Sequence, residues 1–146
     1  MTSATTQRED FVLKIAIKRA DQTLQYADTN CIYRTEAAKT ALKHSFTPQF
    51  IWMDQDCCLA MVCDEDGLFK QLPLNFFLEI PTSPWPIQPI VGDVAFVRTK
   101  PVNTWETEIY DYEVADLTAA DIQQIQEILS WETQRKLAVE YINRSL

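Results

Sequence analysis

A chain of 146 residues with 47% hydrophobic content has the size and composition of one folded domain, large enough to build a core without disulfide or metal staples. A formal net charge of −8 repels polyanions, which argues against direct nucleic-acid binding unless the basic residues near the N-terminus collect on one face. No run approaches the roughly 20 apolar residues of a membrane helix and the opening MTSATTQRE has no leader pattern, so residues 1–9 are expected as a flexible tail and residues 10–146 as one cytoplasmic domain.

Residues 11–17 alternate, with Phe11, Leu13, Ile15 and Ile17 on one face and Val12, Lys14 and Ala16 on the other, the period of a half-wet strand. After a polar turn region, Ala38, Leu42 and Phe46 fall at helical spacing behind Thr35. That spacing predicts a helix over 36–45, capped by Thr35 and stopped before Pro48. Residues 49–53 are short, aromatic and β-branched, and read as a strand. Strands over 58–63 and 68–72 are expected to pair across Asp66 and Gly67, a dipeptide suited to a turn with positive φ. Pro73 lacks a ladder donor, and residues 75–80 read equally as a short helix or a continued strand. Residues 81–89 hold four of the seven prolines and should run as an extended surface connection carrying Trp85, anchored or exposed. Residues 90–97 read as a buried strand and 104–114 as another, and from Thr118 the period becomes helical. Thr118 with Asp121 resembles a capping box, Ile122, Ile125, Leu129, Ala138 and Ile142 mark an apolar stripe, and ETQRK at 132–136 is either a break between two helices or a solvated patch. The expected fold is a single α+β domain: a mainly antiparallel sheet of about five strands, one helix after the first strand and a C-terminal helix.

The chain carries in order Met61 and Val62; Asp64, Glu65, Asp66, Gly67 and Leu68; Leu72, Pro73, Leu74 and Asn75; Ile90 to Val97 as IVGDVAFV; and Leu117 and Thr118 before an acidic helix start. This order resembles an uncharacterised domain family, a domain of unknown function frequent in bacteriophage, plasmid and other mobile-element proteins. The resemblance covers roughly residues 50–125. It departs from the family after the first helix, where a Gly-Gly turn is usual and this chain has SFTPQF. The family has no settled activity, so the resemblance implies a mobile-element setting and transfers no catalytic residues. Read on their own, Asn75 after a proline suits the bonding of turn backbone, and Gly92 suits a bulge or a close backbone approach.

Chemistry has few candidates. Cys57, Cys58, Cys63 and His44 are the residues a metal or thiol centre would draw on, but the spacing lacks the C-x2-C pair that presents two thiolates from one turn, and only one histidine exists. Asp64, Glu65 and Asp66 lack the bidentate glutamate a calcium loop needs six positions after Gly67, where Pro73 stands. Two isolated glycines build no phosphate-cradling loop. Adjacent Cys57 and Cys58 would point to opposite faces of a strand, so free thiols are expected, and no cofactor. Two function classes remain: a protein-binding accessory protein, and a small enzyme or metal-binding protein built on His44 and the Cys57, Cys58 and Cys63 cluster.

Charge favours the first. Between Lys100 and Arg135 there is no basic residue, and eight acids stand there. On a strand over 104–114, Glu106 and Glu108 share one face about 6.8 Å apart, and Asp111 and Glu113 repeat that spacing on the other. The distance is about twice the 3.4 Å rise per nucleotide of one DNA strand, so such a surface could occupy a phosphate-binding groove on a partner, or serve solubility alone. The partner-binding candidates are Glu106, Glu108, Asp111 and Glu113, with Tyr110, Tyr112 and Trp85 as aromatic anchors. The expected partner is another protein with a basic surface, and the concrete version is an acidic inhibitor of a host defence or nucleic-acid-processing protein.

Overall fold

The computed structural model describes residues 12–43, 46–54, 58–101 and 112–146. The alternation at the start forms β1 (Leu13–Lys18), which sends Ile15 and Ile17 to one face and Ala16 to the other. Seven further strands follow: β2 (Gln25–Thr29), β3 (Pro48–Trp52), β4 (Leu59–Asp64), β5 (Leu74–Glu79), β6 (Ile87–Val91), β7 (Val94–Thr99) and β8 (Val114–Ala115). The helices are α1 (Arg34–Leu42), α2 (Ala119–Ile128) and α3 (Trp131–Ser145). The main sheet is antiparallel in the order β2-β1-β7-β4-β3, with β8 also paired to β7, and β5 and β6 form a separate two-stranded sheet. This is the expected α+β architecture with helices after the first strands and at the C-terminus.

Strand β7 lies at the centre because VAFV is apolar on both faces. Phe96 pairs with Ala16 of β1 and with Met61 of β4. Ala95 and Val97 face α1, where Ala37, Ala38 and Leu42 cover them. Val94 and Phe96 face the other way, under Phe76 and Leu78 of β5, Ile90 of β6 and Ile125 of α2. The sheet is thus covered on both sides, which is why β4 is buried along its whole length.

Several sequence expectations give way to tertiary effects. Strand β2 arises from QYADT, a polar segment expected as a turn; as an edge strand it needs only Thr29 fully buried. Helix α1 begins at Arg34, with Tyr33 at the N-cap and no side-chain cap bond, so Thr35 is not the cap; it ends where Lys43 turns left-handed at φ 59°. The expected 58–63 with 68–72 hairpin does not form. Residues 65–71 are successive turns, and the next strand, β5, pairs with β6 instead. Gly67 is not among the described residues with positive φ. Its role is steric: a Cβ there would lie 2.8 Å from Val91 Cγ2, so the absent side chain lets the turns lie against β6. The strand expected over 90–97 is two strands, parted at Gly92, whose φ is 76° and where a Cβ would meet Leu72 Cδ1 at 2.7 Å. The C-terminal helix is also two, and the break falls at Leu129 and Ser130 rather than at 132–136; the Ser130 hydroxyl accepts from Thr133 N–H. Most of the strand expected over 104–114 lies outside the described residues.

Candidate functional site

Four of the seven candidate contact residues, Glu106, Glu108, Tyr110 and Asp111, lie outside the described residues. The other three fall on two segments, Trp85 on one and the adjacent Tyr112 and Glu113 on the other. Trp85 stands on the β5–β6 turn with 77% of its surface exposed. Glu113 sits in the sheet, 3.7 Å from Lys100 Nζ across the β7–β8 connection. Tyr112 packs inward: its ring meets Trp52 edge-on at 5.3 Å, and its carbonyl accepts from Arg34 N–H at 2.8 Å.

Arg34 is the reason those rings gather. Its guanidinium is buried at the first turn of α1, with its carbon 3.6 Å from the Phe50 ring centre, 4.3 Å from that of Tyr112 and 5.1 Å from that of Trp52. A cation held against three aromatic faces locks α1, β3 and the approach to β8 together. Sequence reading missed it because the partners are 16 or more residues away from Arg34 along the chain.

Across the sheet, a groove of about 620 Å³ runs between β3, the β5–β6 turn, and helices α2 and α3. Its apolar walls include Ile51, Met53, Ile80 and Ile128, and Asp54, Glu79 and Lys136 stand among its polar lining. Each wall is fixed by a specific bond. Gln124 Nε2 donates to the Met53 carbonyl. The Gln134 amide accepts from Phe77 N–H at 2.7 Å and donates to Phe77 C=O at 2.9 Å, behaving as a one-residue strand that covers the outer edge of β5. Asp54 accepts from the N–H groups of Cys58 and Leu59 at 2.9 and 3.0 Å and stands 3.7 Å from Arg98. Arg98 in turn clasps Asp121 through two bonds of 2.5 and 2.7 Å, which raises the guanidinium further above its ordinary range.

The outer edge of β3 borders this groove. Met53 N–H donates to Leu59 C=O and Glu65 N–H to Thr47 C=O, so the odd-numbered residues of β3 form the bonded pairs with β4. The N–H and C=O groups of Phe50 and Trp52 therefore point away from the sheet. Among the described residues no strand pairs with that edge.

Helix α3 is apolar on two faces. Leu137 and Tyr141 pack inward, Tyr141 on Phe77 at 5.1 Å. Trp131, Val139, Ile142 and Leu146 are all exposed and fall within an arc of roughly 80° on the helix, with Arg135 stacked on Trp131 at 5.4 Å.

The thiols are poorly placed for chemistry. Cys31, Cys58 and Cys63 are buried, and burial, aided by Asp64, pushes the Cys63 thiol up to about 11. His44 and Cys57 lie outside the described residues. Among the described residues no three His, Cys, Asp or Glu side chains gather as a metal site, and no helix is long and apolar enough to cross a membrane. No family model, curated protein or solved structure matches the chain.

Proposed function

We propose that this protein is a non-enzymatic accessory protein that acts by binding another protein, one with a basic surface, in the setting of a phage, plasmid or related mobile element. The setting rests on the resemblance carried by DEDG, LPLN and IVGDVAFV. The mode of action is supported above all by the groove beside β3: apolar inside, with Asp54 and Glu79 in its lining, on a chain of net charge −8. Such a surface steers a basic partner by charge and holds it by apolar contact.

In its most concrete form the partner is a host defence or nucleic-acid-processing protein, and Glu106, Glu108 and Asp111 stand in for phosphates. Affinity capture from a host lysate at low and high salt tests both levels. A basic partner held at low salt and released at high salt is the expected result, with roughly tenfold weaker capture by the Glu106→Gln, Glu108→Gln, Asp111→Asn triple variant. Capture indifferent to salt and to the triple variant overturns the acidic-mimic form. Capture of nothing at low salt overturns partner binding.

A further inference from the structure

We propose that the partner enters as an extended segment that adds to the outer edge of β3 as one more strand, seating alternate apolar side chains in the groove. This rests on the binding reading above and specifies its geometry. Basic residues flank the segment, and one of them faces Glu79.

The hydrogen-bonding pattern selects the occupant. Phe50 and Trp52 offer N–H and C=O groups in the plane of the sheet, about 6.8 Å apart, the repeat of a strand and not of a helix. Pro48 opens β3 without an N–H of its own, so the available ladder is short and ends there. The pleat then sets the side chains. Ile51 and Met53 point to the groove side, with Ile80 and Ile128 beyond them, so every second residue of an added strand drops into the groove. The alternate residues lie beside Phe50 and Trp52, the rings stacked around Arg34.

The other edges near the groove are guarded. The outer edge of β5 is covered by the Gln134 amide. On β6, Pro89 stands opposite Phe77, at a position that faces away from β5 and has no N–H to offer. Charge separates a partner segment from a second copy of this chain. Among the described residues Lys136 is the one basic residue lining the groove, and a copy bringing its own Glu79 and a net charge of −8 meets like charge, whereas a lysine- or arginine-flanked segment meets opposite charge.

A random peptide library displayed and selected against the full chain is the direct test. Selected peptides are expected to alternate apolar residues between basic flanks. Bound to the protein, such a peptide should slow amide exchange at Phe50 and Trp52 by roughly tenfold or more while leaving Ile51, already bonded to β4, unchanged. N-methylation of the peptide amides in the phase facing β3 should weaken binding roughly tenfold to a hundredfold, and methylation in the opposite phase should be tolerated. Thr82→Trp, an exposed change in the groove lining, should weaken the same peptides. A library that yields no binder overturns the proposal, as do binders indifferent to methylation phase or to Thr82→Trp, and binders that pair two copies of the chain in sedimentation. Binders that leave Phe50 and Trp52 exchange unchanged overturn the strand geometry alone; partner binding itself fails only if lysate capture is empty.

Discussion

Asp121 is 3% exposed, and its charge is tolerable there because every direction it faces supplies a donor. Burial pushes its carboxyl up, but the two Arg98 bonds and the Thr118 N–H at 2.9 Å outweigh this and hold it below the usual carboxylate range. A group depressed in the folded state stabilises the fold above its unfolded value, about 3.9, and that contribution is lost as pH falls through the lower folded value. Asp121→Asn is therefore expected to cost about 2–3 kcal/mol in urea melts at neutral pH, and the cost should shrink on acidification below about pH 4. An equal loss at both pH values would remove the ion pair as its source. Half of this site was legible in the chain: Thr118 and Asp121 are three apart and form the capping box read from their spacing. Arg98 was not, because nothing local marks which cation reaches a capping carboxylate from 23 residues away.

Elements with an internal period were readable, and those defined by a neighbour were not. Strands β1, β3 and β4 and helix α2 follow from their own alternation or capping. Strand β2 is polar and exists through its pairing with β1, Ala16 to Tyr26 among the pairs. Residues 74–79 become a strand because β6 lies on one side and the Gln134 amide on the other. Gln134→Ala should show this dependence. Losing its bonds to Phe77 and to the Ile128 carbonyl is expected to lower stability by about 1–3 kcal/mol, with faster amide exchange concentrated at Phe77. A uniform rise in exchange across the sheet would mean that Gln134 supports the whole fold and not one edge. The groove was hidden for the same reason, since its walls come from residues 51–54, 78–82 and 124–137. The one local hint is a proline opening a short aromatic strand, which marks an edge.

At the scale of the molecule, two apolar layers enclose one sheet, and both include cysteine: Cys31 on the α1 side and Cys63 on the other. A catalytic or metal-binding thiol would be an exposed, low-pKa one; both of these are buried, and Cys63 is pushed up to about 11. In a Cys57→Ser background, iodoacetamide at about pH 8 should leave the native protein unlabelled and modify Cys31, Cys58 and Cys63 only after unfolding. Rapid native labelling of Cys58 or Cys63 would revive the thiol-centred alternative. The placing of β7 between β1 and β4 bears on how the protein is made. The ribosome delivers β1 first, yet its central neighbour emerges about 80 residues later, some 4–16 s at about 5–20 residues per second. Through that interval β1 has only β2 to pair with, a hairpin marginal alone in water, so its other edge stays open to chaperones or to another chain until translation has passed Thr99.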